Sequence, residues 1–135
     1  MKKTLQDKLS DNLVNAFLKG KIIPALPVKF TKKLTEADKF RKLCESKINE
    51  PIIGYKAGGT GIPLLKKLKE KEPFYASIFK RNFLKSGQRV KINKSTFGIE
   101  LEVCYLIKKS FFLTKATVTN KNVSKFISHM APCIE

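Results

Sequence analysis

Ten residues near the C-terminal end limit what this chain can fold into: Gly98-Ile99-Glu100-Leu101-Glu102-Val103-Cys104-Tyr105-Leu106-Ile107. Apolar and other residues alternate with a period of two. This pattern predicts a β-strand with Ile99, Leu101, Val103 and Tyr105 on one face and Glu100 and Glu102 on the other. Side chains two apart on a strand point the same way, with backbones about 6–7 Å apart. Two carboxylates so placed repel unless something positive lies between them. A hard divalent cation, Mg²⁺ or Mn²⁺, meets that need because it prefers carboxylate oxygens. Solvated glutamates on the wet face of a two-sided sheet are the alternative.

The rest of the chain offers few other routes to chemistry. Its 135 residues suffice for one domain with a real core. No apolar run reaches membrane-spanning length, and Asp7, Lys8 and Asp11 interrupt any signal-peptide core, so a cytoplasmic location is the expectation. Cys44, Cys104 and Cys133 are far apart and in apolar surroundings, as reduced packing residues are. The net charge of +17 invites a nucleic-acid reading. However, all the basic residues except Arg41, Arg81 and Arg89 are lysines spread along the chain. Phosphate and base recognition favours arginine's planar fork. A compositional drift toward Lys, Ile, Asn and Phe accounts for the charge without a nucleic-acid partner. His129 is the lone histidine, and no serine lies in a nucleophile elbow. Carboxylates, a lysine and a metal must carry any catalysis.

Read in order, the chain predicts an α+β protein. Thr4 with Asp7 forms an N-terminal cap, Leu5, Leu9, Leu13 and Phe17 follow at helical spacing, and Gly20 stops the helix. Residues 22–27 contain two prolines and read as an extended linker. Thr35 with Asp38 suggests a second cap, for a helix burying Ala37, Phe40, Leu43, Cys44 and Ile48. Ile52–Ala57 reads as a strand, Gly58–Gly61 as a turn, and Pro63 as the start of a helix. A turn at a helix start suits an anion, although the Walker and dinucleotide patterns are absent. Phe74–Phe79 reads as core or pocket wall, Val90 and Ile92 as a strand, and Val123, Phe126, Ile127 and Met130 as one more amphipathic helix.

Three segments together, Gly54-Tyr55-Lys56-Ala57-Gly58-Gly59-Thr60, Glu72-Pro73-Phe74-Tyr75 and Gly98-Ile99-Glu100-Leu101-Glu102-Val103, resemble the 2-keto-4-pentenoate hydratase family. That family lies in the fumarylacetoacetate hydrolase superfamily, with the oxohepta-enedioate hydratases and oxalocrotonate decarboxylases. The resemblance covers nearly all of the chain and corresponds to the N-terminal part of the family. It implies helices over 1–50 and a partial mixed sheet over 51–135, in a single, apparently truncated domain 1–135. It also implies that Glu100 and Glu102 hold Mg²⁺ or Mn²⁺, with Glu135 of Pro132-Cys133-Ile134-Glu135 as third ligand. Lys56 would serve as counter-charge or acid–base group, and Gly58, Gly59 and Thr60 would contact substrate. The reaction implied is addition of water to a short unsaturated 2-oxo acid such as 2-oxopent-4-enoate, with the metal stabilising negative charge as protons move. Family hydratases often carry an acid where this chain has Phe74, and Ala76 replaces a frequent glycine, which keeps the keto-acid decarboxylases open. Family members continue past this segment, so the resemblance also allows an inactive remnant, a homo-oligomer or a separately encoded C-terminal half.

Overall fold

In the computed structural model, which describes residues 3–92, 94, 96, 98–113, 115 and 117–135, the first helix follows its local signals closely. Helix α1 (Leu5–Lys19) opens at Thr4, whose hydroxyl accepts the Asp7 amide at 3.1 Å. The Asp7 carboxylate in turn accepts the Thr4 amide at 3.2 Å, closing a capping box. Gly20, at φ 59° and ψ 42°, ends the helix in the left-handed conformation that glycine adopts without steric cost.

Helix α2 (Leu34–Ser46) starts at Lys33 with no side-chain cap, so the expected Thr35–Asp38 cap is not formed. Asp38 instead pairs with Arg41 and Lys42 one turn ahead. The helices pack through Val14, Phe40 and Cys44, with Leu9, Leu13, Leu26, Phe30 and Ile48 against them. Leu26 belongs to the extended linker and Phe30 to a short 3-10 turn, Val28–Phe30, so the connection between helices also supplies core. The Lys47 ammonium then ties the end of α2 to α1, donating to Ser10 Oγ at 2.6 Å and to Asp11 Oδ1 at 2.7 Å.

Strand β1 (Ile52–Gly58) runs antiparallel to β2 (Phe74–Phe79), and α3 (Ile62–Leu68) lies in the connection. The apolar stretch 74–79 is therefore a strand as well as a wall. Its last residue, Phe79, is buried with its ring centroid 5.9 Å from that of Phe17 in α1. Gln88–Ile92 form no strand.

The chain divides into two compact units, Met1–Thr96 and Phe97–Glu135. The second contains β3 (Leu101–Ile107), α4 (Lys109–Leu113), a 3-10 turn (Val123–Phe126) and β4 (Ile127–Ile134). The helix expected across 123–130 is thus a single 3-10 turn leading into a strand. Strand β4 pairs antiparallel with β3, with one irregularity between Leu106 and Ile107. The β-structure of the described residues is two separate two-stranded antiparallel sheets, where a mixed sheet was the expectation. The α+β class stands. Among the described residues, no helix is long and apolar enough to cross a membrane.

Candidate functional site

The backbone of β3 and β4 decides where the acids go. The Glu100 amide donates to the Glu135 carbonyl at 2.8 Å, and the Glu135 amide donates back to the Glu100 carbonyl at 2.9 Å. Residues that exchange both bonds lie directly opposite and send their side chains to the same face, with Cβ atoms about 4.5–5.5 Å apart. Two residues on, Glu102 lies opposite Cys133 on that same face. Glu100, Glu102 and Glu135 therefore share one corner of the sheet. Cys104, opposite Ala131, continues the face inward.

The carboxylates are exposed and share a face without enclosing a position for an ion. Among the described residues, no group of three or more His, Cys, Asp and Glu side chains is gathered so that it could hold a metal. The donor chemistry still suits a hard cation, since three carboxylates offer only oxygen. The Cys133 thiol lies beside these carboxylates, and burial first, then its neighbours Cys104 and Glu102, push its pKa up. All three cysteines are free. His129 lies on β4 with Nδ1 2.6 Å from Ser128 Oγ.

The other expected site residues belong to the first unit. Lys56 is exposed on β1, opposite Ala76. Gly58 ends the strand opposite Phe74, Gly59 is buried at φ 69°, and Thr60 is exposed. The Phe74 ring covers both glycines. A Cβ at Gly58 would lie 2.5 Å from its Cε2, and one at Gly59 2.8 Å from its Cε1. The glycines thus have a packing reason to be there, which their turn-like composition did not reveal. Lys56, Gly58, Gly59 and Thr60 lie in one unit, and Glu100, Glu102 and Glu135 in the other.

Sequence reasoning missed a cleft of about 500 Å³ in the first unit, lined by Arg41, Lys42, Glu45, Tyr55, Tyr75 and Ser77. The Arg41 guanidinium sits 4.6 Å from the Tyr75 ring centroid and donates to Glu45 Oε2 at 2.6 Å and to Asp38 Oδ1. Partial burial works against its charge, but the hydrogen bonds to Asp38 and Glu45 outweigh that, and its pKa rises. The second oxygen of Glu45 accepts the Ser77 amide at 3.2 Å, which holds α2 to β2. The buried Ser77 hydroxyl has no hydrogen-bond partner among the described residues. The Asp38–Arg41–Glu45 spacing, three and four residues apart on a helix, was the available signal.

No family model, curated protein or solved structure matches the chain.

Proposed function

We propose that this chain is a hydratase-like protein of the 2-keto-4-pentenoate hydratase family. It would add water to a short unsaturated 2-oxo acid such as 2-oxopent-4-enoate, with Mg²⁺ or Mn²⁺ as cofactor. The observation that carries the reading is the register of β3 with β4, which sets Glu135 opposite Glu100 with Glu102 beside them. Like charges opposite one another weaken a sheet. A divalent cation would turn that repulsion into attraction, and Glu100, Glu102 and Glu135 are the residues that would hold it. When bound, the ion would supply Lewis-acid polarisation of the 2-oxo group and its adjacent carboxylate.

The chain's own groups would do the rest. Lys56 would offset the substrate's negative charge or exchange a proton with it. The Gly58–Thr60 segment would contribute backbone N–H groups to substrate. A fumarylacetoacetate-hydrolase-type sheet and a cytoplasmic location belong to the same proposal. Decarboxylation of a 2-oxo acid is the second reading, favoured by Phe74. Phe74 stands just after Pro73, where an acid is frequent in the hydratases, and its ring packs over Gly58 and Gly59.

Isothermal titration with MgCl₂, then with oxalate as a mimic of the 2-oxo acid group, tests the reading. The wild-type protein should bind Mg²⁺, and oxalate only when Mg²⁺ is present. Glu102→Gln should lose the metal by on the order of tenfold or more in affinity. Lys56→Ala should keep the metal and bind oxalate more weakly. Absence of heat with both Mg²⁺ and Mn²⁺, or unchanged binding by Glu102→Gln, would remove the basis of the proposal.

A further inference from the structure

Hydrogen-bonded pairs in an antiparallel ladder turn their N–H and C=O groups toward each other, and the residues between them turn theirs away. Glu100 and Glu135 are such a pair. The backbone groups of Leu101, Val103 and Tyr105 therefore face away from β4, and those of Met130, Pro132 and Ile134 face away from β3. These two outward rows differ. Pro132 has no N–H and interrupts the row on β4 at its centre, which blunts that edge. The row on β3 carries no proline and no charge, and no third strand pairs with it among the described residues.

The same residues build an exposed apolar face. Leu101 is 86% exposed, Ile134 72% and Met130 63%. A sheet of two strands is marginal alone and gains stability from a third or fourth.

We propose that β3 is the seam of a symmetric dimer, pairing antiparallel with β3 of a second copy about a twofold axis at Val103. Val103 exchanges both backbone hydrogen bonds with the partner's Val103, and Leu101 does so with the partner's Tyr105. On the acidic face, Glu102 then lies opposite the partner's Cys104 and Glu100 opposite the partner's Leu106. No acid meets an acid. Sliding the axis to Leu101 would set Glu100 against the partner's Glu102, a repulsive pair. Sliding it to Tyr105 would run the pairing past Ile107, where β3 ends. Moving it to Cys104 also keeps acid from acid, with Glu102 opposite the partner's Leu106 and Glu100 opposite the partner's Lys108. The edge is therefore self-complementary in these two neighbouring registers, both of which use the Val103 donor.

A second copy also explains how assembly stops. The four-stranded sheet has a β4 at each outer edge, and Pro132 blunts both, so the pair closes instead of growing into a fibre. The seam is apolar and hydrogen-bonded between chains of charge +17. Added salt screens their mutual repulsion and strengthens the dimer. This inference is independent of whether the glutamates bind a metal.

Sedimentation velocity of the full chain over a concentration and salt series tests it. The wild-type protein should reach a dimer, more readily at high salt. Val103→Pro removes the central outward donor without cutting a bond to β4, and should sediment as a monomer. Val103→Lys sets two ammonium groups across the axis and should also be monomeric, which decides the matter if circular dichroism shows the proline variant misfolded. Pro132→Val restores an N–H to the β4 edge and should extend the dimer into larger assemblies. A wild-type chain that stays monomeric at high salt overturns the proposal, including one whose Leu101, Val103 and Tyr105 amides exchange slowly because the chain itself covers them. A Val103→Lys protein that dimerises like wild type overturns it too.

Discussion

Replacing Gly58 by alanine separates crowding from backbone strain in the glycine turn. Gly58 is not among the glycines at positive φ, so its backbone accepts a Cβ. The obstacle is the Phe74 ring, whose Cε2 would lie 2.5 Å from the new methyl. Forcing a group into filled space costs about 1–3 kcal/mol. Phe74 is already 37% exposed and can turn outward, which puts Gly58→Ala near the lower end, about 1–2 kcal/mol. With Phe74→Ala in place the clash is gone. Alanine should then stabilise the strand by about 0.5–1 kcal/mol relative to glycine, by restricting the unfolded chain. The sign of the effect reverses, and the coupling between the two sites is about 2 kcal/mol. Gly59→Ala supplies the contrast. At φ 69° its cost of about 1–2 kcal/mol for a left-handed residue remains after the ring is removed. Urea unfolding followed by far-ultraviolet circular dichroism reads this well, because α1 and α2 lie in the same unit as the turn. If Gly58→Ala costs the same with and without the Phe74 ring, the steric explanation is wrong.

Phe40→Ala should cost about 3–5 kcal/mol in the same urea assay. Its side chain is 3% exposed, and its ring centroid lies 5.2 Å from that of Phe30. Stability should also fall at both ends of the pH scale. Asp7, Asp11 and Asp38 are held below their ordinary 3.8, chiefly by hydrogen bonds from Thr4, Lys3 and Lys42 respectively. Depressed carboxylates stabilise the fold above that value and lose the contribution as pH drops through their folded pKa. All three are at the surface, so the slope should be shallow. Burial pushes Cys44 above its ordinary 9.0, so its contribution is full below that pH and fades as pH rises through the folded value. Thermal melts across the range should show a plateau between these limits, and Cys44→Ala should flatten its alkaline edge.

What was legible in the sequence was local. Thr4, Asp7 and Gly20 specify both ends of α1 through contacts within four residues, and the helix forms as they require. Asp38 misled because a short acid after a threonine resembles a cap, whereas Arg41 and Lys42 on the next turn bind it more strongly. Val123, Phe126, Ile127 and Met130 match helical spacing. Residues 127–134 instead take the strand geometry that pairing with β3 offers, and that partner lies some twenty-five residues earlier. The shared face of Glu100 and Glu102 followed from spacing alone. Glu135 joins them only through the register of two strands, which no spacing rule encodes. The cover of Phe74 over the glycines was hidden for the same reason.

Ser10 shows how narrow one position can be. It is fully enclosed, its hydroxyl donates to the Asp7 carbonyl at 2.9 Å, and it accepts from the Lys47 ammonium at 2.6 Å. Any bulkier side chain would pry the helices apart, while alanine would fit yet deprive the ammonium of an acceptor. Codon changes there should be among the least tolerated in the first fifty residues, although serine in the middle of a helix attracts little notice.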